Sequence, residues 1–244
     1  MKAMILAAGR GERMRPLSDN TPKPLLQVAG KSLIQWHLEA LVRLGIEDVV
    51  INLAWHGAQI RAALGDGTRY GIRITYSEEG EHALETGGGI YRALPLLGER
   101  FLVISADVWT DYPLRNCLQR PTAGDVAHFV VVPNPDYHPR GDFGLHAGRM
   151  TQHAELLTYA NIGCFSAEFF AACQPGRFPL APLMREWINA GRVSGELHTG
   201  GWCNVGTPAQ LAMLDAQLRA ASREGQPQLT AGALPPGTMD PSNR

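Results

Sequence analysis

An apolar run of six residues, Ala3 to Ala8, breaks directly into glycine and positive charge. Gly9 and Gly11 follow it, Arg10, Arg13 and Arg15 stand among and behind them, and Lys23 is held between Pro22 and Pro24. This junction constrains the fold more than any other feature. The run reads as a buried strand, and small residues at its end let a ligand approach the backbone, whose N–H groups can point at phosphate oxygens. Arginine adds forked contacts and lysine a point charge. The bland reading is a strand followed by a basic surface loop. Cations gathered on a glycine loop at a strand's end favour a polyphosphate grip.

Strands and helices alternate behind this start. Ser32 to Leu44 has helical spacing, with Leu33, Ile34, Leu38, Leu41 and Leu44 apolar and Gly45 as a stop. Val49 to Leu53 reads as a strand, Gln59 to Leu64 as a helix, Ile72 to Tyr76 as a strand, Ile90 to Leu97 as a helix and Phe101 to Ser105 as a strand. Such alternation predicts an α/β fold: a Rossmann-like, mostly parallel sheet with helices on both faces, built as a single domain over 1–222. Ligands of these sheets bind beyond the carboxyl ends of the strands, where Gly9, Glu78 and Asp107 fall.

The second half is less regular. Strands are predicted at Ala127 to Val132, Ala160 to Phe165 and Trp202 to Val205, and helices at Ala167 to Cys173, Ala181 to Ala190 and Pro208 to Ala221. Thr207-Pro208 is an N-cap and first-turn pair. Residues 223–244 lose the apolar pattern, and their Gln, Pro, Gly, Thr and Ser predict a disordered tail.

The formal net charge of −1 and pI near 6.7 argue against a nucleic-acid binder. No apolar run approaches the roughly 18 residues of a membrane span, and the apolar start, interrupted at Arg10, is not a signal peptide. Cys117, Cys164, Cys173 and Cys203 form no C-x-x-C pair, and reduced thiols in a cytoplasmic protein are the simplest expectation. The eight histidines show no H-E-x-x-H spacing.

Asp107 lies just past a fully apolar strand and would project at the binding edge. On position alone it is a Mg²⁺ carboxylate or a cap on the next turn, and the phosphate loop favours the metal. Thr86-Gly87-Gly88-Gly89, ahead of a helix, frees the backbone to approach a base or ribose and leaves helix N–H groups for an anion. An ordinary tight turn is the alternative.

The loop is not a P-loop, and Met14 replaces the third glycine of G-x-G-x-x-G, which disfavours a dinucleotide-dependent oxidoreductase. What remains, G-x-G-x-R-M-x-P, then P-K-P-L and G-K-S-L-I, resembles the sugar-1-phosphate nucleotidyltransferases, with Gln27 and Ser32 where that family usually has proline. The resemblance implies a nucleotide-diphospho-sugar transferase fold, Mg²⁺, and two substrates, a nucleoside triphosphate and a sugar 1-phosphate. Lys23 is then catalytic at the α-phosphate, and Arg15 with the loop N–H groups at the β- and γ-phosphates. The nucleotide residues are Ala7, Ala8, Gly9 and Gly11, with Glu81, Thr86, Gly87 and Gly88 around base and ribose.

Toward the sugar, Asp142 in Arg140-Gly141-Asp142-Phe143-Gly144 and Asn161 offer hydrogen bonds to hydroxyls, with a surface-loop role as the alternative for each. The family's W-x-D-x-G-T reads Trp202-Cys203-Asn204-Val205-Gly206-Thr207 here, so the second metal ligand beside Asp107 becomes the amide of Asn204. The segments E-T-G-G-G-I, D-V-W-T-D-Y, R-G-D-F and L-A-P-L resemble the branch that uridylylates N-acetylmuramate α-1-phosphate in cell-wall recycling. UTP and that sugar phosphate are the implied substrates. Another sugar 1-phosphate with UTP, dTTP or GTP is the runner-up, and a non-catalytic nucleotide-sugar sensor the competing class.

Overall fold

The computed structural model describes residues 1–80, 83–119 and 124–223. In chain order its elements begin with β1 (Lys2–Leu6), α1 (Leu17–Asn20), β2 (Gln27–Val28), β3 (Lys31–Ser32), α2 (Leu33–Arg43), β4 (Asp48–Leu53), α3 (Gly57–Leu64) and β5 (Arg73–Glu78). Next come α4 (Glu85–Leu97), β6 (Arg100–Ser105), β7 (Val108–Thr110), α5 (Leu114–Gln119), β8 (Ala127–Val132), β9 (Phe143–His146) and β10 (Arg149–Thr151). The chain continues through β11 (Leu156–Ser166), α6 (Ala181–Asn189), β12 (Val193–Leu197), β13 (Trp202–Asn204) and α7 (Pro208–Arg223).

A nine-stranded sheet runs β5-β4-β1-β6-β11-β8-β12-β10-β9. The four strands from β5 to β6 are parallel, with Ile5 opposite Ile51 on one side and Ile104 on the other. The expected α/β fold is present, and its parallel part carries the glycine loop. Beyond β6 the sheet is largely antiparallel: β11 runs against both β6 and β8, and β10 against β9 and β12. That departs from a mostly parallel sheet, and the reason is the connections. β9 and β10 are joined by two residues, Ala147 and Gly148, both at positive φ, the geometry of a type I′ hairpin.

Side-chain alternation along the strands builds two cores. Ala3, Ile5, Ile51 and Ile104 face α2, α3 and α5, whereas Met4, Val50 and Val103 face α4 and α6. Six fully buried phenylalanines fill the second core, Phe165 meeting Phe169 edge-on at 5.1 Å between centroids. Pairs of this kind add about 0.5–1.5 kcal/mol beyond area burial. A third cluster fixes the glycine loop: Met14 is fully buried against Leu33, Trp109, Val205 and Leu214, tying the loop to β7 and α7. The Ala29 N–H donates to Asp215 on α7 at 2.7 Å, closing the same joint.

Several elements differ from expectation. Ala167 to Cys173 forms only a 3-10 turn, Ala167–Phe170. The helix expected from Ile90 starts at Glu85, with all three glycines inside it. The reason is crowding: a Cβ at Gly87 would strike Phe178, one at Gly88 the Gly176 carbonyl and one at Gly89 the Glu79 carboxylate. These glycines admit close neighbours to a helix rather than freeing a loop. Of the tail expected over 223–244, Arg223 ends α7 and residues 224–244 lie outside the described residues.

Candidate active site

The carboxyl ends of β1, β4, β5 and β6 meet at one cleft, walled by Ala7, Ala8, Gly9, Lys23, Thr86 and Asp107 among others. Lys23 and Asp107, 84 residues apart in sequence, form an ion pair at 2.6 Å between Nζ and Oδ2. The lysine side chain is only 10% exposed and the aspartate 32%. Pro22 and Pro24 flank the lysine in a 3-10 turn, which restricts where its stem starts. Gly11, at φ 65°, lets that stem pass, since a Cβ there would lie 3.3 Å from the Lys23 Cβ. Gly11 therefore supports the lysine and is absent from the cleft wall. At Gly9 a Cβ would meet nothing within 4 Å, so the space beside it is open.

A buried network sets one wall of the cleft. Asn52 Oδ1 accepts the Ala7 N–H at 2.7 Å, Asn52 Nδ2 donates to Glu79 Oε1 at 2.6 Å, and Glu79 Oε2 accepts the Leu84 N–H at 2.6 Å. The Ala7 N–H is thus engaged by protein, and Ala7, itself buried, only borders the cleft. Sequence reading missed Asn52 and Glu79. The one signal was a lone amide in the apolar run of β4; at β5 the buried face shifts from Ile72 and Ile74 to Ser77 and Glu79, so alternation does not point to Glu79. Glu78, expected at the binding edge, turns outward to Arg61.

Arg15 does not reach the cleft: its Nε lies 3.0 Å from Asp19 Oδ1, and the side chain is exposed. Arg13 is exposed as well, with Nη2 3.3 Å from where a Cβ on Gly206 would stand. Thr86 lines the cleft, but Gly87 and Gly88 pack against residues 176 and 178. Glu81 lies outside the described residues. Asp142 and Asn161 do not line the cleft either. Asp142 accepts the Tyr159 N–H at 2.9 Å and meets His138 Nε2 at 3.0 Å, pinning the 133–142 loop to β11. Asn161 sits at φ 59°, where the pairing of β11 with β8 shifts register.

Asn204 stands beside Asp107: β13 pairs with β7 antiparallel, Asn204 opposite Val108, and the Val205 N–H donates to the Asp107 carbonyl at 2.8 Å. The Asn204 Oδ1 is buried with no hydrogen-bond partner. A buried acceptor left unpaired on the strand that pairs beside Asp107 is a feature that calls for an explanation. Two hard oxygens suit a dication that takes its remaining ligands from phosphate and water. Among the described residues no cluster of three His, Cys, Asp or Glu side chains competes for that role. Behind Asp107, His37 is buried and its pKa is lowered to about 4, mainly by desolvation, against hydrogen bonding with the backbone at Val108 and Ser105. Burial likewise raises Cys203 to about 11, partly offset by Lys23, and all four cysteines are free.

A sheet with a phosphate grip at its switch point and a lysine–aspartate pair across the cleft defines a nucleotidyl-transfer protein. Residues 2–155 match the nucleotidyl transferase family, and the chain belongs to that family. It is 49% identical to the N-acetylmuramate alpha-1-phosphate uridylyltransferase of Neisseria meningitidis, over 86% of this chain and 95% of that protein. It is 34% identical to the protein of that name from Caulobacter vibrioides, over 90% and 97%. In fold it resembles a putative glucose-1-phosphate thymidylyltransferase from Bacillus anthracis crystallised with sucrose. The TM-score is 0.80 at 20% identity, over 90% of this chain and 95% of that one.

Proposed function

We propose that this enzyme transfers the uridylyl group of UTP to N-acetylmuramate α-1-phosphate, giving UDP-N-acetylmuramate and pyrophosphate for peptidoglycan recycling. The single observation that carries the chemistry is the Lys23–Asp107 pair at the phosphate loop. The choice of sugar and base rests on the 49% identity to the Neisseria protein.

The acceptor phosphate attacks the α-phosphorus and pyrophosphate leaves. No general base is needed, because a phosphate oxygen is already anionic at neutral pH. Catalysis is then orientation and neutralisation of charge. Lys23 binds the α-phosphate, leaving Asp107 to the metal. Gly9 and Ala8 give the phosphates room at the backbone. Arg13, rather than Arg15, reaches the phosphates from the Gly206 side. Asp107 and the Asn204 amide oxygen would hold the divalent ion, here taken as Mg²⁺, whose charge offsets that of the triphosphate when it is bound. Asn52 and Glu79 hold the wall against which uridine rests. No helix among the described residues is long and apolar enough to cross a membrane. A cytoplasmic location follows from the use of UTP.

The test is pyrophosphate release from UTP with Mg²⁺ over a panel of sugar 1-phosphates. N-acetylmuramate 1-phosphate should be used best. Turnover of a different sugar would transfer the reading to that substrate, and silence with nucleotide binding retained would favour a sensor.

A further inference from the structure

We infer that Arg10 grips the pyrophosphate half of the bound triphosphate, and that in the free protein the Trp55–His56 turn holds its guanidinium in waiting. The inference rests on UTP being the donor, as proposed above.

The turn after β4 reaches across to the phosphate loop with two side chains. Trp55 Nε1 donates to the Ser18 carbonyl at 3.4 Å, and His56 Nε2 meets the Asp19 carbonyl at 3.0 Å, which requires the proton on that nitrogen. The two rings lie 4.3 Å apart. Ser18 in turn donates to the Gly11 carbonyl at 2.7 Å, so the loop is closed on itself and clipped to the turn. His56 sits at φ 51°, a left-handed conformation that carries some strain for any residue but glycine. Strain of this sort persists where surrounding contacts fix it, and ligand clamps are a common setting.

Arg10 lies on this clip. Its guanidinium carbon is 4.6 Å from the centre of the Trp55 ring, and its side chain is 52% exposed. Lys23 and Arg15 sit on carboxylates at 2.6 and 3.0 Å, whereas the Arg10 guanidinium is 3.8 Å from an exposed Glu12. Arg10 follows Gly9, which lines the cleft beside open space. An exposed cation–π contact is weaker than charge-assisted hydrogen bonds to phosphate oxygens. The arriving β- and γ-phosphates therefore draw the guanidinium off the indole, and Trp55 reports the exchange.

The experiment measures binding of UTP, pyrophosphate and UMP, each with Mg²⁺, to the full chain and to R10A, R10K and W55F, with tryptophan emission recorded. R10A should bind UTP and pyrophosphate about ten-fold more weakly, the loss expected for a charged hydrogen bond. UMP affinity should hold, because UMP lacks the phosphates Arg10 would meet, and R10K should recover part of the loss. Pyrophosphate should change the emission of the parent, and that change should largely disappear in both R10A and W55F. Equal weakening of UMP and UTP, or unaltered pyrophosphate binding by R10A, overturns the role of Arg10. An emission change that survives in W55F overturns the role of Trp55. Failure of the parent to bind UTP would instead strike the proposed function, so the two failures are distinct.

Discussion

Lys23 and Asp107 neutralise each other in the free protein, and on the proposed function each must release the other for substrate. Removing the carboxylate leaves a nearly buried lysine unpaired and takes away one of the two oxygens beside the cleft. Asp107→Ala is expected to lower kcat by about 100-fold or more, the scale of losing a preorganised charge contact; a rate equal to the parent's would refute the metal seat. Asn204→Asp should lower the metal concentration needed for half-maximal rate by roughly ten-fold, since a carboxylate binds a hard dication better than an amide. The sugar used should not change. His37 makes a pH prediction. Its folded pKa of about 4 lies below the unfolded 6.5, so the unfolded chain takes up protons first as pH falls. Its contribution is whole above pH 6.5 and fades toward pH 4, with about 2 kcal/mol gone by pH 5. Urea titrations at pH 7.5 and pH 5 should show that loss in the parent and a smaller one in His37→Gln.

At the level of elements, α4 is the most exposed to a single methyl group. Gly88→Ala would drive a Cβ into the Gly176 carbonyl, and a backbone oxygen has little freedom to yield. Overpacking of this kind costs about 1–3 kcal/mol. Because the same helix start carries Thr86 at the cleft, the variant should also show a raised KM for UTP; a stable variant with unchanged KM would mean that α4 does not set the nucleotide wall. This helix also marks where the sequence could be read and where it could not. Continuous apolar runs made β1, β4 and β6 legible, and period-3.6 spacing made α2 so. Three successive glycines argue against a helix locally, and only the chain at residues 176–178, distant in sequence, makes them necessary. The β9–β10 hairpin was hidden for a related reason: Ala147 occupies a turn position where Asn, Asp or Gly is the usual sign. The pairing of Arg15 with Asp19 was not legible, because spacing in a loop does not reveal which carboxylate an arginine meets.

Across the whole molecule the two halves of the sheet are prepared to different degrees. On the parallel side the site is built before any ligand arrives: Asn52 and Glu79 join β1, β4 and the start of α4 through three hydrogen bonds of 2.6–2.7 Å. On the antiparallel side the two residues expected to meet the sugar are otherwise placed, Asp142 on Tyr159 and His138, Asn161 in a bulge. The Asn52–Glu79 wall needs no rearrangement and only the Lys23–Asp107 and Arg10–Trp55 contacts must open, so the nucleotide should bind alone and the sugar phosphate should need it. UTP with Mg²⁺ at a hundred times its Kd stabilises the folded state by about 2.7 kcal/mol. For a chain of this length that amounts to a rise in Tm of roughly 5–10 °C. Chelating the metal should shrink the rise without abolishing it, because Lys23 and the loop backbone still meet the phosphates. N-acetylmuramate 1-phosphate alone should move Tm by much less than UTP does. A larger shift from the sugar phosphate by itself would show that the antiparallel half is the one built in advance, and the order of binding would then be the reverse.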